Sequence, residues 1–297
     1  MATTSERPYQ DLLRWSTGLD KAGWDHVAWL MDWHRAIMCG VPLERGLEEP
    51  DAHNLCGFGQ WLYGDGADLL ESDDRIQSVE RIHRRMHDRA REMLRSARQS
   101  GQVDPAEYDD LLNLRGVFHT RVKTWQRGLL KQLFNTDPLT GLLNRRSLDS
   151  LLGDMICECA NFDDGCQIAI VNVDRLKRVN DRHGTSVGDE VLRTLGSHMS
   201  QRLRSSDLVV RYRGDQFLVC FPHRTVDQAF DALDRIRRTI SGRNLRMGQG
   251  VDVTVSVSVG LASWDGSEDV KETIKRAEWA VSEAKRAGRN SVTVAPD

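Results

Sequence analysis

The sequence predicts two folds in series, an all-helical amino-terminal half and an α/β carboxy-terminal half. From Asp11 to about Gln132 the chain is poor in β-branched residues and places apolar side chains at helical spacing. Further on, Leu208–Tyr212 and Phe217–Phe221 flank a short polar turn, Arg213-Gly214-Asp215-Gln216, which is the pattern of a hairpin. The stretch Val251–Leu261 alternates strictly, as a half-buried strand does. With 297 residues the chain is long enough for two separate cores.

In the first half, Trp24, Trp29, Trp33 and Ile37 recur at helical spacing and read as bundle core, with His26 and His34 on the same segment. A loop over Gly40–Pro50 leads to Asn54–Leu62, NLCGFGQWL. Arg75–Gln99 reads as a long charged helix, and Pro105 opens another that runs through Leu133. Long amphipathic helices joined by short breaks predict a four-helix bundle. The bundle is expected over 1–110, with its last helix and connector over 111–136, ended by the proline of Asn135-Thr136-Asp137-Pro138.

Composition limits the partners. A net charge of −3 and a pI near 6.3 give no electrostatic case for bulk nucleic-acid binding. The amino terminus lacks the charged and apolar regions of a signal peptide, and no apolar run approaches the ~20 residues that span a bilayer. Six cysteines without a regular framework suit a reducing interior. The expectation is a cytoplasmic protein without a membrane or nucleic-acid partner.

His83 and His87, at i and i+4 in HRRMH, stack on one helical face and can reach a common point. Two such histidines are more often a solvated face. Joined by a histidine and a cysteine from other elements, they would complete a tetrahedral zinc shell. The pattern of His26, then LCGFGQW, then HRRMH resembles the chemoreceptor zinc-binding (CZB) domain. The resemblance implies Zn²⁺ as cofactor, structural or sensory, held by His26, Cys56, His83 and His87. His34, His53 and His119 are read as ordinary polar or core residues, and Cys39 as a small buried side chain.

In the second half, Asn144–Ala160 reads as helix and Gln167–Val173 as a buried strand. Short helices follow around Arg175–Arg182 and Val187–Leu203, then the hairpin and a helix at Val226–Ile240. After the alternating strand, Glu268–Ala287 is helical and capped by Gly288. Cys157, Cys159 and Cys166 are read as three free thiols.

Four stretches here resemble the GGDEF family of diguanylate cyclases, in order and at family spacing. They are Asp137–Arg146 (DPLTGLLNRR), Asn172–Asp189 (NVDRLKRVNDRHGTSVGD), Arg211–Phe217 (RYRGDQF) and Ala284–Asn290 (AKRAGRN). The resemblance covers about 137–297. It implies a central mixed sheet flanked by helices, like that of nucleotidyl cyclases and polymerase palms. It also implies the condensation of two GTP into cyclic di-GMP by two domains face to face in a homodimer, paired through the bundle and connector.

The resemblance also assigns roles. Mg²⁺ is held by carboxylates at positions 172 and 215 with the carbonyl of Val173, and position 216 adds a further acid. This chain has Asn172 and Gln216 instead, so only Asp215 of the three expected acids remains. Each amide can offer a carbonyl oxygen but no full negative charge, and neither takes up protons near neutral pH. Mg²⁺ binding is therefore expected to be weak or absent and turnover slight. Arg213 replaces the first glycine of the motif. Asn180 and Asp189 match the guanine-binding pair, and Lys285 and Arg289 the cations on the terminal phosphates. Arg204 and Asp207 match the R-x-x-D inhibitory site for cyclic di-GMP, with Arg235 as a second arginine. The expected protein is a zinc-responsive cyclic di-GMP receptor that also binds GTP. The alternatives are an active zinc-regulated diguanylate cyclase and a dimerising interaction module that binds no nucleotide.

Overall fold

A computed structural model describes residues 9–42, 48–148, 166–247, 250–266 and 268–296. The contacts divide the chain into a helical unit, Gln10–Leu133, and a second unit dominated by Phe134–Asp297.

The helical unit is built on three long helices, α1 (Tyr9–Cys39), α5 (Asp74–Ser100) and α6 (Pro105–Asn135). Between α1 and α5 run three short ones, α2 (Ala52–Leu55), α3 (Gly57–Tyr63) and α4 (Ala67–Ser72). Local chemistry sets the ends. Asp73 caps α5 by accepting from the Arg75 N–H, and Gly101 takes the left-handed conformation that stops it at φ 74°. Asp104 Oδ1 accepts from Ala106 N at 2.8 Å where Pro105 starts α6. Trp15, Leu19, Trp29, Leu30 and Trp33 of α1 join Val79, Met86 and Met93 of α5 and Leu111, Leu114, Phe118 and Trp125 of α6 in one core.

Two sequence expectations need correction here. Trp24 is 77% exposed and lies outside the core. The inward positions are Ala22, His26 and Trp29, and a residue two places from Ala22 and from His26 must face away on a 3.6-residue helix. Cys39, expected to be buried, is exposed at the last turn of α1.

The second unit is a six-stranded mixed sheet in the order β1-β3-β4-β2-β7-β8. Its strands are β1 (Leu143–Asn144), β2 (Cys166–Val173), β3 (Leu208–Arg213), β4 (Gln216–Pro222), β7 (Val257–Trp264) and β8 (Val292–Val294). The pairs β3–β4, β4–β2 and β2–β7 are antiparallel, whereas β1–β3 and β7–β8 are parallel. The helices are α7 (Leu176–His183), α8 (Thr185–Arg202), α9 (Val226–Ser241) and α10 (Val270–Arg286). One sheet face packs Val171, Phe217, Val219 and Val259 against Val191, Leu195, Leu233 and Ile236 of α8 and α9. The other packs Ile168, Ile170, Leu218 and Ala262 against Ile274, Ala277 and Val281 of α10. Every residue of β2 is buried, which explains its apolar run Ile168–Val171. Gly260 permits the close approach of α10, since a Cβ there would lie 2.1 Å from the Ala277 carbonyl oxygen.

The alternating stretch is not one strand. Asp252–Val253 (β6) pairs with Leu245–Arg246 (β5) in a separate ribbon, and β7 begins only at Val257. Buried Asp174 accounts for the break: its carboxylate accepts from Ser256 Oγ at 2.6 Å and Ser258 Oγ at 2.7 Å. The predicted helix at Asn144–Ala160 instead has Asn144 in β1 with helical backbone over 145–148, and its remainder lies outside the described residues, as do Cys157 and Cys159. Cys166 is buried at the start of β2.

Candidate metal centre and nucleotide site

The helical unit brings His26 from α1, Cys56 from the α2–α3 junction, and His83 and His87 from α5 to one point. Their ligand atoms all lie within 4.8 Å of one another, and all four residues are buried. The glycines of LCGFGQW make this approach possible. A Cβ on Gly57 would fall 2.1 Å from Asp25 Cβ, beside His26, and one on Gly59 would meet the His53 carbonyl oxygen at 1.8 Å. A larger residue at 57 would push α3, and Cys56 with it, away from α1, and one at 59 would push it away from the α2 backbone.

The cluster is buried among aromatic rings. The His87 ring lies 3.8 Å from that of Trp29, and the His83 ring 4.8 Å from that of Phe58. Burial holds the His26 imidazole down at about 3, with Arg115 adding to the effect. Burial likewise holds His87 down at about 2 and His83 well below the usual histidine range. The same burial pushes the Cys56 thiol up to about 11, although the N–H groups of Gly59 and Phe58 favour its thiolate. Near neutral pH the unliganded cluster is therefore three neutral imidazoles and a thiol. Cys56 Sγ stands 3.2 Å from His83 Nε2, while His26 Nε2, His83 Nδ1 and both nitrogens of His87 have no partner. Orphaned buried nitrogens are costly, and a soft-tolerant tetrahedral cation supplies what they lack while replacing the thiol proton. The donor set fits zinc.

His53 is buried with both ring nitrogens unpartnered, His34 donates or accepts at Tyr108 Oη across 3.2 Å, and His119 is exposed.

In the sheet unit, β2 and the hairpin meet in register Asn172↔Gln216, which places Asp215 at the tip beside Asn172. Asn172 Nδ2 donates to Asp215 Oδ1 at 3.0 Å, and Val173 N donates to the Asp215 carbonyl at 3.0 Å. A carboxylate only accepts, so the amide must turn its N–H side towards it. That leaves Asn172 Oδ1 buried without a partner. Where two acids would require a cation between them, an amide and an acid satisfy each other directly.

The rest of the tip is crosslinked too. Arg213 Nε donates to Gln216 Oε1 at 3.0 Å, and its guanidinium pairs with Glu278 of α10. Arg211 pairs with Asp137 at 2.9 Å. Lys285 lines the same open cavity of about 630 Å³ as Arg213, Asp215 and Gln216. Arg289 does not. It lines a separate cavity with Asp174 and α7.

Asn180 on α7 lies against α8 at Gly188, where a Cβ would fall 1.8 Å from Asn180 Oδ1, and that oxygen is buried without a partner. Asp189 follows on α8, half-buried.

Arg204 and Arg235 are exposed and form no ion pair among the described residues. Asp207 is different. Its carboxylate is buried, accepts from Arg204 N at 2.7 Å and pairs with Arg224, a residue that sequence reasoning missed. Its Oδ1 and Arg224 Nε remain without partners. Glu278 was also missed. An arginine amid FPHRT, directly after an apolar strand, was the available signal for Arg224; Glu278 had none, since it sits in an ordinary helical charge pattern.

A buried three-histidine, one-cysteine cluster on a helical unit, joined to a palm-like mixed sheet with a central hairpin, defines the class: a metal-binding signalling protein with a cyclase-type output fold. Residues 134–291 match the family model "Diguanylate cyclase, GGDEF domain", and residues 26–94 match the "Chemoreceptor zinc-binding domain". The chain belongs to the GGDEF family and carries a CZB domain, which indicates zinc binding.

Among its relatives is the diguanylate cyclase DgcZ of Escherichia coli K12, 26% identical over 274 residues, which are 92% of this chain and 90% of that one. Another is the diguanylate cyclase DosC of the same strain, 27% identical over 270 residues. The match takes in 90% of this chain and 58% of DosC. The coiled coil and GGDEF domain of DgcB from Caulobacter crescentus, solved in complex with c-di-GMP, superposes with a TM-score of 0.57 at 30% identity. That match covers 62% of this chain and 99% of that one. Diguanylate cyclase SiaD of Pseudomonas aeruginosa, solved with its activator SiaC, has a TM-score of 0.53 at 30% identity, covering 84% and 95%. No described helix is long and apolar enough to cross a membrane.

Proposed function

We propose that this chain is a zinc-responsive regulator of cyclic di-GMP signalling whose GGDEF domain binds nucleotide with little or no turnover. The observation that carries this reading is the Asn172 Nδ2–Asp215 Oδ1 hydrogen bond of 3.0 Å. It occupies the surviving carboxylate with a neutral donor. Mg²⁺ would have to displace that donor and turn the amide, to gain a single full charge. Gln216, held by Arg213, supplies neither charge nor a proton acceptor.

Binding is a separate matter from turnover. The unpartnered Oδ1 of Asn180 beside half-buried Asp189 supports a guanine contact, and Lys285, which lines the hairpin cavity, supports a phosphate contact. Exposed Arg204 and Arg235 supply guanidinium groups for the phosphates or Hoogsteen edge of cyclic di-GMP. With Asp207 buried on Arg224, that recognition rests mainly on the arginines. Zinc on His26, Cys56, His83 and His87 ties α1, α3 and α5 together and so fixes the bundle. A second copy of the chain pairs through the helical unit, consistent with the exposed apolar stripe Trp24, Val27, Met31 and Met38 along α1.

Calorimetric titration of the purified full chain with cyclic di-GMP tests the reading, beside an Arg204→Ala variant. Saturable heat in the parent and at least a tenfold weaker affinity in the variant are expected. Equal heats in both, or none in either, contradict it.

A further inference from the structure

The helical unit holds a cavity that neither the metal cluster nor the nucleotide site uses. It measures about 320 Å³, lies between α1 and α6, and is walled by Leu19, Leu30, Phe58, Phe118 and Val122. Exposed Trp24 and Val27 of α1 also line it. Of the four cluster residues only His26 reaches the wall. A concave, mainly apolar site with a few polar groups and a volume of roughly 300 Å³ or more is the usual form of a small-molecule pocket.

Gly23 explains why the space is left. It sits within α1, where glycine costs about 1 kcal/mol relative to alanine. Packing does not demand it, since a Cβ there would meet nothing within 4 Å. Gly57 and Gly59 differ, because a Cβ at either would collide with a neighbour, at 2.1 and 1.8 Å. Gly23 lines the cavity, so the missing side chain keeps it open.

The polar groups of the wall are mostly basic. Arg115, His119 and Lys123 recur at four-residue spacing along α6. Lys123 Nζ donates to Gln126 Oε1 at 2.9 Å, and the Gln126 amide donates in turn to Asp20, the acid of the wall. Arg115 forms no ion pair among the described residues. Its charge already acts on buried His26 behind the wall, where it disfavours protonation. Zinc on three neutral imidazoles and one thiolate would add one net positive charge in the same buried place. Arginine and cluster both favour an anion, and Trp24, Phe58 and Phe118 favour an aromatic body.

We propose that this cavity binds a compact aromatic carboxylate, with its acid group on Arg115, and that zinc tightens the binding. The site uses the helical unit alone and stands apart from the cyclic di-GMP reading; only the coupling rests on zinc at the cluster. By linkage, the carboxylate would tighten zinc by the same factor.

The test is calorimetry of the full zinc-loaded chain with 2-naphthoate and with the neutral 2-naphthamide, beside Gly23→Leu and Arg115→Met. Leucine fills the open space and favours a helix over glycine, and methionine keeps an apolar stem without the charge at an exposed position, so the fold should survive. Unchanged circular dichroism and zinc content check this. Saturable binding of 2-naphthoate is expected, at least about tenfold weaker in each variant, with 2-naphthamide as weak in the parent. Chelator-treated parent should bind about threefold or more weaker. Equal affinity in parent and Gly23→Leu overturns the proposal, as does equal affinity for acid and amide, or no saturable heat at millimolar ligand. Affinity indifferent to zinc removes the coupling. Sedimentation tests for another occupant: if 2-naphthoate dissociates a dimer and Gly23→Leu weakens that dimer, the cavity belongs to a second copy and the proposal falls.

Discussion

At the scale of single residues, two carboxylates of the sheet unit differ in what satisfies them, an amide at Asp215 and a guanidinium at Asp207. At the hairpin, Asn172 quiets the local electrostatics: its N–H meets Asp215 Oδ1 at 3.0 Å and no cation is needed to hold the pair. Restoring the acid should reverse this. The double change Asn172→Asp with Gln216→Glu recreates the cluster of carboxylates that Mg²⁺ seeks. Synthesis of cyclic di-GMP from GTP, followed by chromatography, should rise by roughly 100-fold or more. An unchanged rate would place the block elsewhere. Asp207 shows the opposite case, a charge buried and paired. Arg224→Ala leaves that carboxylate uncompensated, and should destabilise the sheet unit by about 3–5 kcal/mol in chemical denaturation. A loss below about 1 kcal/mol would mean that water reaches Asp207.

At the scale of elements, α3 and the cluster it carries depend on close approach. Gly57→Ala drives a methyl into Asp25 of α1 and should cost about 1–3 kcal/mol, read as an earlier melt of the helical unit. Tryptophan emission reports on that unit, because six of the eight tryptophans precede residue 133. The buried histidines also set a pH dependence for the metal-free bundle. Their folded values lie below the ordinary 6.5, at about 3 for His26 and about 2 for His87, so the unfolded chain binds more protons as pH falls. Stability is therefore full above about pH 6.5 and is lost progressively towards pH 3. At pH 4.5 each of these two histidines should cost on the order of 2 kcal/mol in chelator-treated protein. A melting temperature unchanged between pH 7.5 and 4.5 would show that the imidazoles are not held neutral.

The same elements show what was legible beforehand. Helix and strand periods located α5, α6, β2 and the hairpin to within a few residues, because each buries a continuous apolar face. Trp24 misled because a large aromatic implies burial, whereas its angular position on α1 points outward. The break before β7 was hidden because alternation is a local pattern. Asp174 lies 82 residues away in sequence from Ser256, the residue it ties down. The convergence of four ligands from three parts of the chain, and the ion pair of Asp207 with Arg224, were likewise tertiary facts.

At the scale of the whole molecule, the chain joins a zinc-binding CZB unit to a GGDEF domain through α6, a single helix of 31 residues. If zinc governs the output, chelation should change the affinity for cyclic di-GMP or the dimerisation constant, measured by calorimetry and sedimentation. No change in either would separate the metal from the nucleotide. The central claim is that an amide–carboxylate pair has taken the place of a magnesium site in a fold that still grips nucleotide. The most direct measurement is the conversion of GTP to cyclic di-GMP by the unaltered, zinc-loaded chain, with Mg²⁺ and again with Mn²⁺. The account predicts no product above background with either ion. Multiple turnovers per protein in minutes would contradict it and make the chain a working synthase.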